Sequence, residues 1–226
     1  MTGGNSGGAD RAPLQVDSFP TDVDAGSTVL VASAGDPTRY AVGLRLLCEY
    51  GTGDDAALVV TTTEGVGETL DAYDALCSES NRPTLRVVDT ASEQQSVSAL
   101  HGETPVVFTP SPDDLERLVL ALSDVAENAL VAGGDRHLVV RSLTPALNAA
   151  SLAHVRTVLE RITEFRSGAG LCLLWVDYTA HDEGAMEAVA ELVDGVLWVT
   201  RSGSRIEFDY RSTRGRYDPL SDGGDD

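Results

Sequence analysis

The sequence predicts an α/β protein: an open, mostly parallel sheet with helices on both faces and an antiparallel hairpin at one edge. Three observations carry this. Short β-branched runs recur at 29–32, 58–62, 85–88, 106–109, 138–140, 171–176 and 196–200, most of them apolar without alternation, as strands covered on both faces require. Segments of helical period separate them, the pattern of strands joined by crossover helices. The last run breaks that pattern: after Ser202-Gly203 the stretch Arg205-Ile206-Glu207-Phe208-Asp209-Tyr210 alternates polar and apolar residues, which reads as the second strand of a hairpin with one wet face.

Taken in order, residues 1–22 are rich in Gly, Asp, Pro and Ser with little to bury, and are expected to form a disordered tail. The domain is expected over 23–216, and 217–226, ending in Ser-Asp-Gly-Gly-Asp-Asp, as a disordered acidic tail. After the second strand, Leu70, Tyr73 and Leu76 mark a short helix. Ser111, Pro112 and Asp114 form an N-cap, a first-turn proline and an early acid, and Leu115, Leu118, Val119, Leu122, Val125 and Ala126 then make one apolar stripe. A further helix runs from Ala149 through Leu152, Val155, Leu159 and Ile162 to a stop near Ser167-Gly168.

Composition narrows the function. The chain has 226 residues, enough for one well-packed domain, and 36 acidic against 16 basic side chains give a formal charge of −20. That field opposes nucleic acid and anionic lipid. All 16 basic residues are arginine, and such an acidic, lysine-free balance fits solubility in concentrated salt, where self-repulsion is screened within a few ångströms; a halophile is the expected source, an ordinary acidic cytosolic protein the alternative. Three cysteines, Cys48, Cys77 and Cys172, are an odd number lying mostly in apolar patterns, where thiols pack as small hydrophobes, and a reducing compartment fits. The longest apolar run, 171–176, is too short to span a bilayer and the amino terminus has no signal layout; the expectation is a cytoplasmic protein with no membrane partner.

The most informative stretch is 29–47, Val-Leu-Val-Ala-Ser-Ala-Gly-Asp-Pro-Thr-Arg-Tyr-Ala-Val-Gly-Leu-Arg-Leu-Leu. It is laid out like the strand, loop and helix that hold ATP phosphates in P-loop proteins. On the pattern G-x-x-x-x-G-K-[ST], Ser33 and Thr38 stand at the glycines, Arg39 at the lysine and Tyr40 at the Ser or Thr. Side chains at Ser33 and Thr38, with Pro37 removing an N–H, deny much of the backbone cradle. Tyr40 sets its hydroxyl too far out to ligate a metal.

The order of these segments resembles the KaiC-like branch of the RecA-type P-loop ATPases over roughly residues 25–216. Leu58-Val59-Val60-Thr61-Thr62-Thr63-Glu64 is similar to the strand that in that family ends in two acids serving the attacking water; Thr63 replaces the first and Glu64 keeps the second. His137-Leu138-Val139-Val140-Arg141-Ser142-Leu143-Thr144 is similar to the Walker B strand, with Arg141 at the metal-ordering aspartate and Ser142 after it. Asp194-Gly195-Val196-Leu197 and Arg214-Gly215 are similar to the family's late strand and its terminal basic-Gly pair. The resemblance implies a RecA-like sheet whose catalysis is lost, with no catalytic residue, metal or cofactor. The vestigial site comprises Ser33, Gly35, Asp36, Thr38, Arg39 and Tyr40 with Glu64, Arg141 and Ser142. Arg39 and Arg141 either converge on the vacated site as an anion clamp, or pair with Asp36 and Glu64, or face solvent. A buried Arg141 needs a partner, and Glu64 is the first candidate.

Other constellations are bland. Gly65 and Gly67 lack the third glycine of a dinucleotide fingerprint, and His101, His137, His154 and His181 fall in no metal spacing. His181-Asp182-Glu183 reads as an acidic helix start. Arg201, Arg205, Arg211, Arg214 and Arg216 make the one local basic excess, as an acidic-partner patch or as partners of Glu207, Asp209 and the tail. The reading is a regulatory or signalling protein that acts through a protein partner and leaves the oligomeric state open. The alternatives are a divergent ATPase using Arg39 and a RecA-like nucleic-acid module.

Overall fold

The computed structural model describes residues 15–35, 41–78, 82–92, 98–101, 103–127, 134–203 and 205–213. Ten strands form one sheet: β1 (Gln15–Val16), β2 (Thr28–Ser33), β3 (Ala56–Thr61), β4 (Thr84–Asp89), β5 (Ser98–His101), β6 (Thr104–Phe108), β7 (Arg136–Val140), β8 (Cys172–Asp177), β9 (Gly195–Ser202) and β10 (Arg205–Ser212). Their spatial order is β1-β10-β9-β2-β8-β7-β3-β4-β6-β5. From β9 to β6 every pair is parallel; β10 joins β9 and β5 joins β6 antiparallel, and the short β1 adds to β10 in parallel at the outer edge. With β8 set between β2 and β7, the order is consistent with a RecA-like sheet, including the expected hairpin at one edge.

The apolar runs of the central strands split by residue parity onto two covered faces. Leu30, Leu58, Val60, Leu138, Val140 and Leu174 pack under α3 (Leu115–Glu127), α5 (Leu152–Thr163) and α6 (Glu183–Ala190). Val29, Val31, Val59, Val139, Leu173 and Trp175 pack under α1 (Val42–Tyr50), and Tyr73 of α2 (Val66–Leu76) joins the same cluster. A short α4 (Thr144–Ala149) precedes α5.

Several local expectations are corrected. The helix expected from Ala149 starts instead at Leu152, because Ser151 caps it, its Oγ accepting from His154 N–H at 3.4 Å, and Ala149 is the last residue of the separate α4. At α3 the capping carboxylate is Asp114, which accepts from Arg117 N–H at 3.2 Å, and Ser111 lies a turn earlier. Residues 15–22 are no loose tail: Val16 pairs with Ile206, Phe19 packs 4.5 Å from Phe208, and Tyr50 Oη donates to Pro20 O at 2.9 Å. Residues 1–14 and the tail 217–226 lie outside the described residues. Cys48 and Cys77 are joined as a disulfide, whereas Cys172 is free and fully buried. Their separation of 29 residues carries no signal of this; only the packing of α1 against α2 brings them together.

The Asp194-Gly195 pair has a plain structural use. Asp194 Oδ2 accepts from Thr28 N–H at 2.8 Å, tying the start of β9 to the start of β2. A Cβ on Gly195 would lie 2.3 Å from Tyr210 Oη, so this glycine lets β10 lay Tyr210 across it.

Candidate functional site: a buried ion pair at the carboxyl ends of the strands

In open parallel sheets ligands gather at the carboxyl ends of the strands. Ser33, Glu64, Arg141 and Ser142 all lie at or just past such ends, those of β2, β3 and β7. Asp36, Thr38, Arg39 and Tyr40 lie outside the described residues.

Arg141 follows the last residue of β7 and is 5% exposed. Its backbone N–H donates to Val60 O at 2.9 Å, extending the β7–β3 pairing by one residue and turning the side chain inward. Its Nη2 lies 2.8 Å from Glu64 Oε2, and its Nη1 donates to Thr69 Oγ1 at 2.5 Å. The ion pair expected for a buried Arg141 is therefore formed with Glu64, whose side chain keeps 29% exposure. A guanidinium so deep needs this neutralisation, because an uncompensated buried charge costs several kcal/mol, order of magnitude. Its partner Thr69 is fully buried in the first turns of α2, so helix and ion pair are fixed together.

Side chains add to the backbone pairing of β2 with β8. Ser33 Oγ accepts from Trp175 Nε1–H at 2.9 Å, and Asp177 Oδ1 accepts from Gly35 N–H at 3.0 Å. Gly35 has φ +78°, a left-handed conformation that suits glycine. Burial pushes the Asp177 carboxyl up, but the hydrogen bonds from Thr179 and Gly35 outweigh it and hold it below its ordinary value. Beneath the first turn of α1, Trp175 and Val139 sit 3.6 and 3.3 Å from where a Cβ on Gly43 would stand. The cavity left between them, Ala41 and Arg141 is about 10 Å³, at the lower limit of what holds one water. Asp177, Trp175 and Thr69 were not singled out in the sequence; Asp177 ends an apolar strand run, and that position was the available signal.

The neighbouring rim is braced in the same way. Thr62 Oγ1 donates to Ser142 O at 2.9 Å, and Ser142 Oγ accepts from Thr144 N–H at 3.3 Å. Asp89, wholly buried at the end of β4, accepts from Thr61 Oγ1, Val66 N–H, Ala91 N–H and both the N–H and Oγ of Ser92. Burial pushes its carboxyl up, yet the Ser92, Val66 and Ala91 hydrogen bonds prevail and hold it low.

A cavity of about 500 Å³ opens at the opposite rim beside Tyr50, Asp55, Asp135 and His137. His137 Nδ1 accepts from Leu171 N–H at 3.0 Å, which places the imidazole proton on Nε2, 3.4 Å from Asp55 Oδ2. Both ring nitrogens are engaged, so this pair ties strands. No cluster of three or more His, Cys, Asp or Glu among the described residues could hold a metal ion. In the C-terminal hairpin, Arg205 pairs with Asp17, Arg211 with Asp209, and Arg201 Nε donates to Gly203 O; Arg214 and Arg216 lie outside the described residues. No helix is long and apolar enough to cross a membrane among the described residues.

No curated protein sequence matches the chain. Among solved structures, an uncharacterised Pyrococcus horikoshii protein in complex with an unknown peptide is 14% identical, covering 84% of this chain and 85% of that one at a TM-score of 0.57. A second protein, from Pyrococcus horikoshii OT3, is 12% identical over 82% and 87% with a TM-score of 0.52. An ATPase of the type III secretion system of pathogenic bacteria gives 15%, 78%, 52% and 0.47 in the same terms. At these identities the two Pyrococcus proteins share the fold. Residues 26–199 match the family described as a family of unknown function, DUF7504, and the chain belongs to that family.

Proposed function

We propose that this chain is a non-hydrolysing, KaiC-like member of the RecA-type proteins, a pseudo-ATPase that acts in a regulatory or signalling assembly by contact with a protein partner. The observation that carries the reading is the Arg141–Glu64 pair. On the family resemblance, one of these positions orders the metal and the other serves the attacking water; here a permanent guanidinium stands at the first and consumes the carboxylate at the second. Trp175, Val139 and the Ser33 hydrogen bond support it by filling the space behind α1. The unknown peptide held by one Pyrococcus neighbour supports a peptide or protein partner. The charge of −20 supports a salt-adapted protein.

Calorimetry with ATP and Mg²⁺ in molar KCl, paired with a phosphate-release assay, tests this. The expected result is neither saturable heat nor phosphate; tight binding with release would establish the rival ATPase, using Arg39, and overturn the proposal. For the nucleic-acid reading, the hairpin arginines are already committed to internal partners at Arg205 and Arg211. No gel shift is expected at high salt, with or without Arg214→Ala and Arg216→Ala.

A further inference from the structure

We propose that the Cys48–Cys77 disulfide is a redox-responsive staple of the degenerate site, opened by small thiols and closed by small disulfides. The inference is independent of whether nucleotide binds. Cys48 lies in the last turn of α1 and Cys77 caps the carboxyl end of α2, with Cα atoms 5.3 Å apart, well placed for a bond. The loop that the bond closes contains β3, Glu64 and Thr69. The far end of α2 carries the ion pair: α2 begins two residues after Glu64 and supplies the Thr69 hydroxyl to Arg141, while α1 packs against α2. A covalent tie at one end of the helix pair therefore restrains the ion pair at the other.

The sulfurs are not those of an oxidoreductase. Both sit at helix carboxyl ends, where the negative end of the backbone dipole disfavours a thiolate. Closure accordingly needs an external disulfide RSSR. One cysteine thiolate attacks it, forming a mixed disulfide and releasing RS⁻, and the second cysteine then displaces the other RS⁻. The two cysteine protons leave with the two RSH formed. Opening is the reverse, beginning at Cys48, which is only partly buried, since Cys77 is 8% exposed. Cys172 is a spectator: it is fully buried, and burial pushes its thiol up to about 12.

The test uses the full chain, incubated with oxidised glutathione or with dithiothreitol, and reads thiol alkylation and amide hydrogen exchange. In the oxidised sample, unfolding in denaturant should expose one alkylatable thiol, Cys172, with a linked Cys48–Cys77 peptide by mass spectrometry. Reduction should speed exchange by roughly tenfold or more in α1 and α2 while β8 and α5 stay within about twofold, and glutathione disulfide should reverse this. Cys48→Ser with Cys77→Ser should match the reduced protein; if that variant does not fold, the reduced wild type carries the test. Three alkylatable thiols after oxidation, equal exchange in both states, or acceleration spread over the whole sheet would each overturn the proposal.

Discussion

Replacing Glu64 by glutamine keeps the side-chain shape and removes the charge that neutralises Arg141. The guanidinium, with a side chain only 4% exposed, would then face a neutral partner across 2.8 Å. Breaking a buried pair from one side costs ~3–5 kcal/mol. Because the Glu64 side chain is 29% exposed, water already screens part of the attraction, and we expect about 2–3 kcal/mol. For a domain of this size that is a Tm lower by roughly 4–12 °C. Arg141→Met should cost less, about 1–2 kcal/mol, since the stranded charge can turn to solvent. The double variant should lose less than the sum of the singles, with a coupling of about 1–2 kcal/mol. Thermal unfolding by circular dichroism at fixed ionic strength reads all four proteins. Single variants within ~0.5 kcal/mol of wild type, or a double variant that is simply additive, would refute a buried and energetically coupled pair.

Three further predictions rest on the rim carboxylates and on two glycines elsewhere in the fold. Asp55, Asp89 and Asp177 are all held below the ordinary carboxylate value, because backbone and hydroxyl donors outweigh burial; the unfolded chain then binds more protons than the folded one. Their stabilisation is complete above the unfolded value near ~3.9 and is lost as pH falls through the lower folded values, so urea midpoints should hold down to about pH 5 and drop below pH 4, and Asp89→Asn should flatten that drop. Gly170→Ala would place a Cβ 2.0 Å from the Arg136 carbonyl oxygen and should cost about 2 kcal/mol or more. Gly67→Ala, in α2 with nothing within 4 Å, should gain up to ~1 kcal/mol in the same unfolding assay.

Much of the fold was legible because buried parallel strands write themselves as unbroken apolar runs, as β2, β3 and β8 do. The edges were not. β1 is two residues long and β5 four, and such strands are defined by the partner they pair with, which a local pattern does not contain. The same holds for the site. Arg141 stood out as a departure from a family pattern and Glu64 as the acid that pattern keeps, but Asp177 and Trp175 look like the end of any apolar strand until β8 is laid beside β2. The disulfide is the clearest case, since two cysteines in apolar helices read as packing residues until two helices meet.

By itself the sequence determined that α and β elements alternate, which faces are apolar, and that the 33–40 stretch carries neither the paired glycines nor the lysine of the phosphate-loop pattern, because period, side-chain volume and formal charge are local properties. Tertiary structure alone decided that Arg141 is buried against Glu64 and Thr69, that Ser33 and Gly35 are engaged by β8, and that Cys48 meets Cys77. Those outcomes depend on which strand lies beside which, and on distances between residues far apart in the chain, where neither propensity nor hydrophobic period carries information.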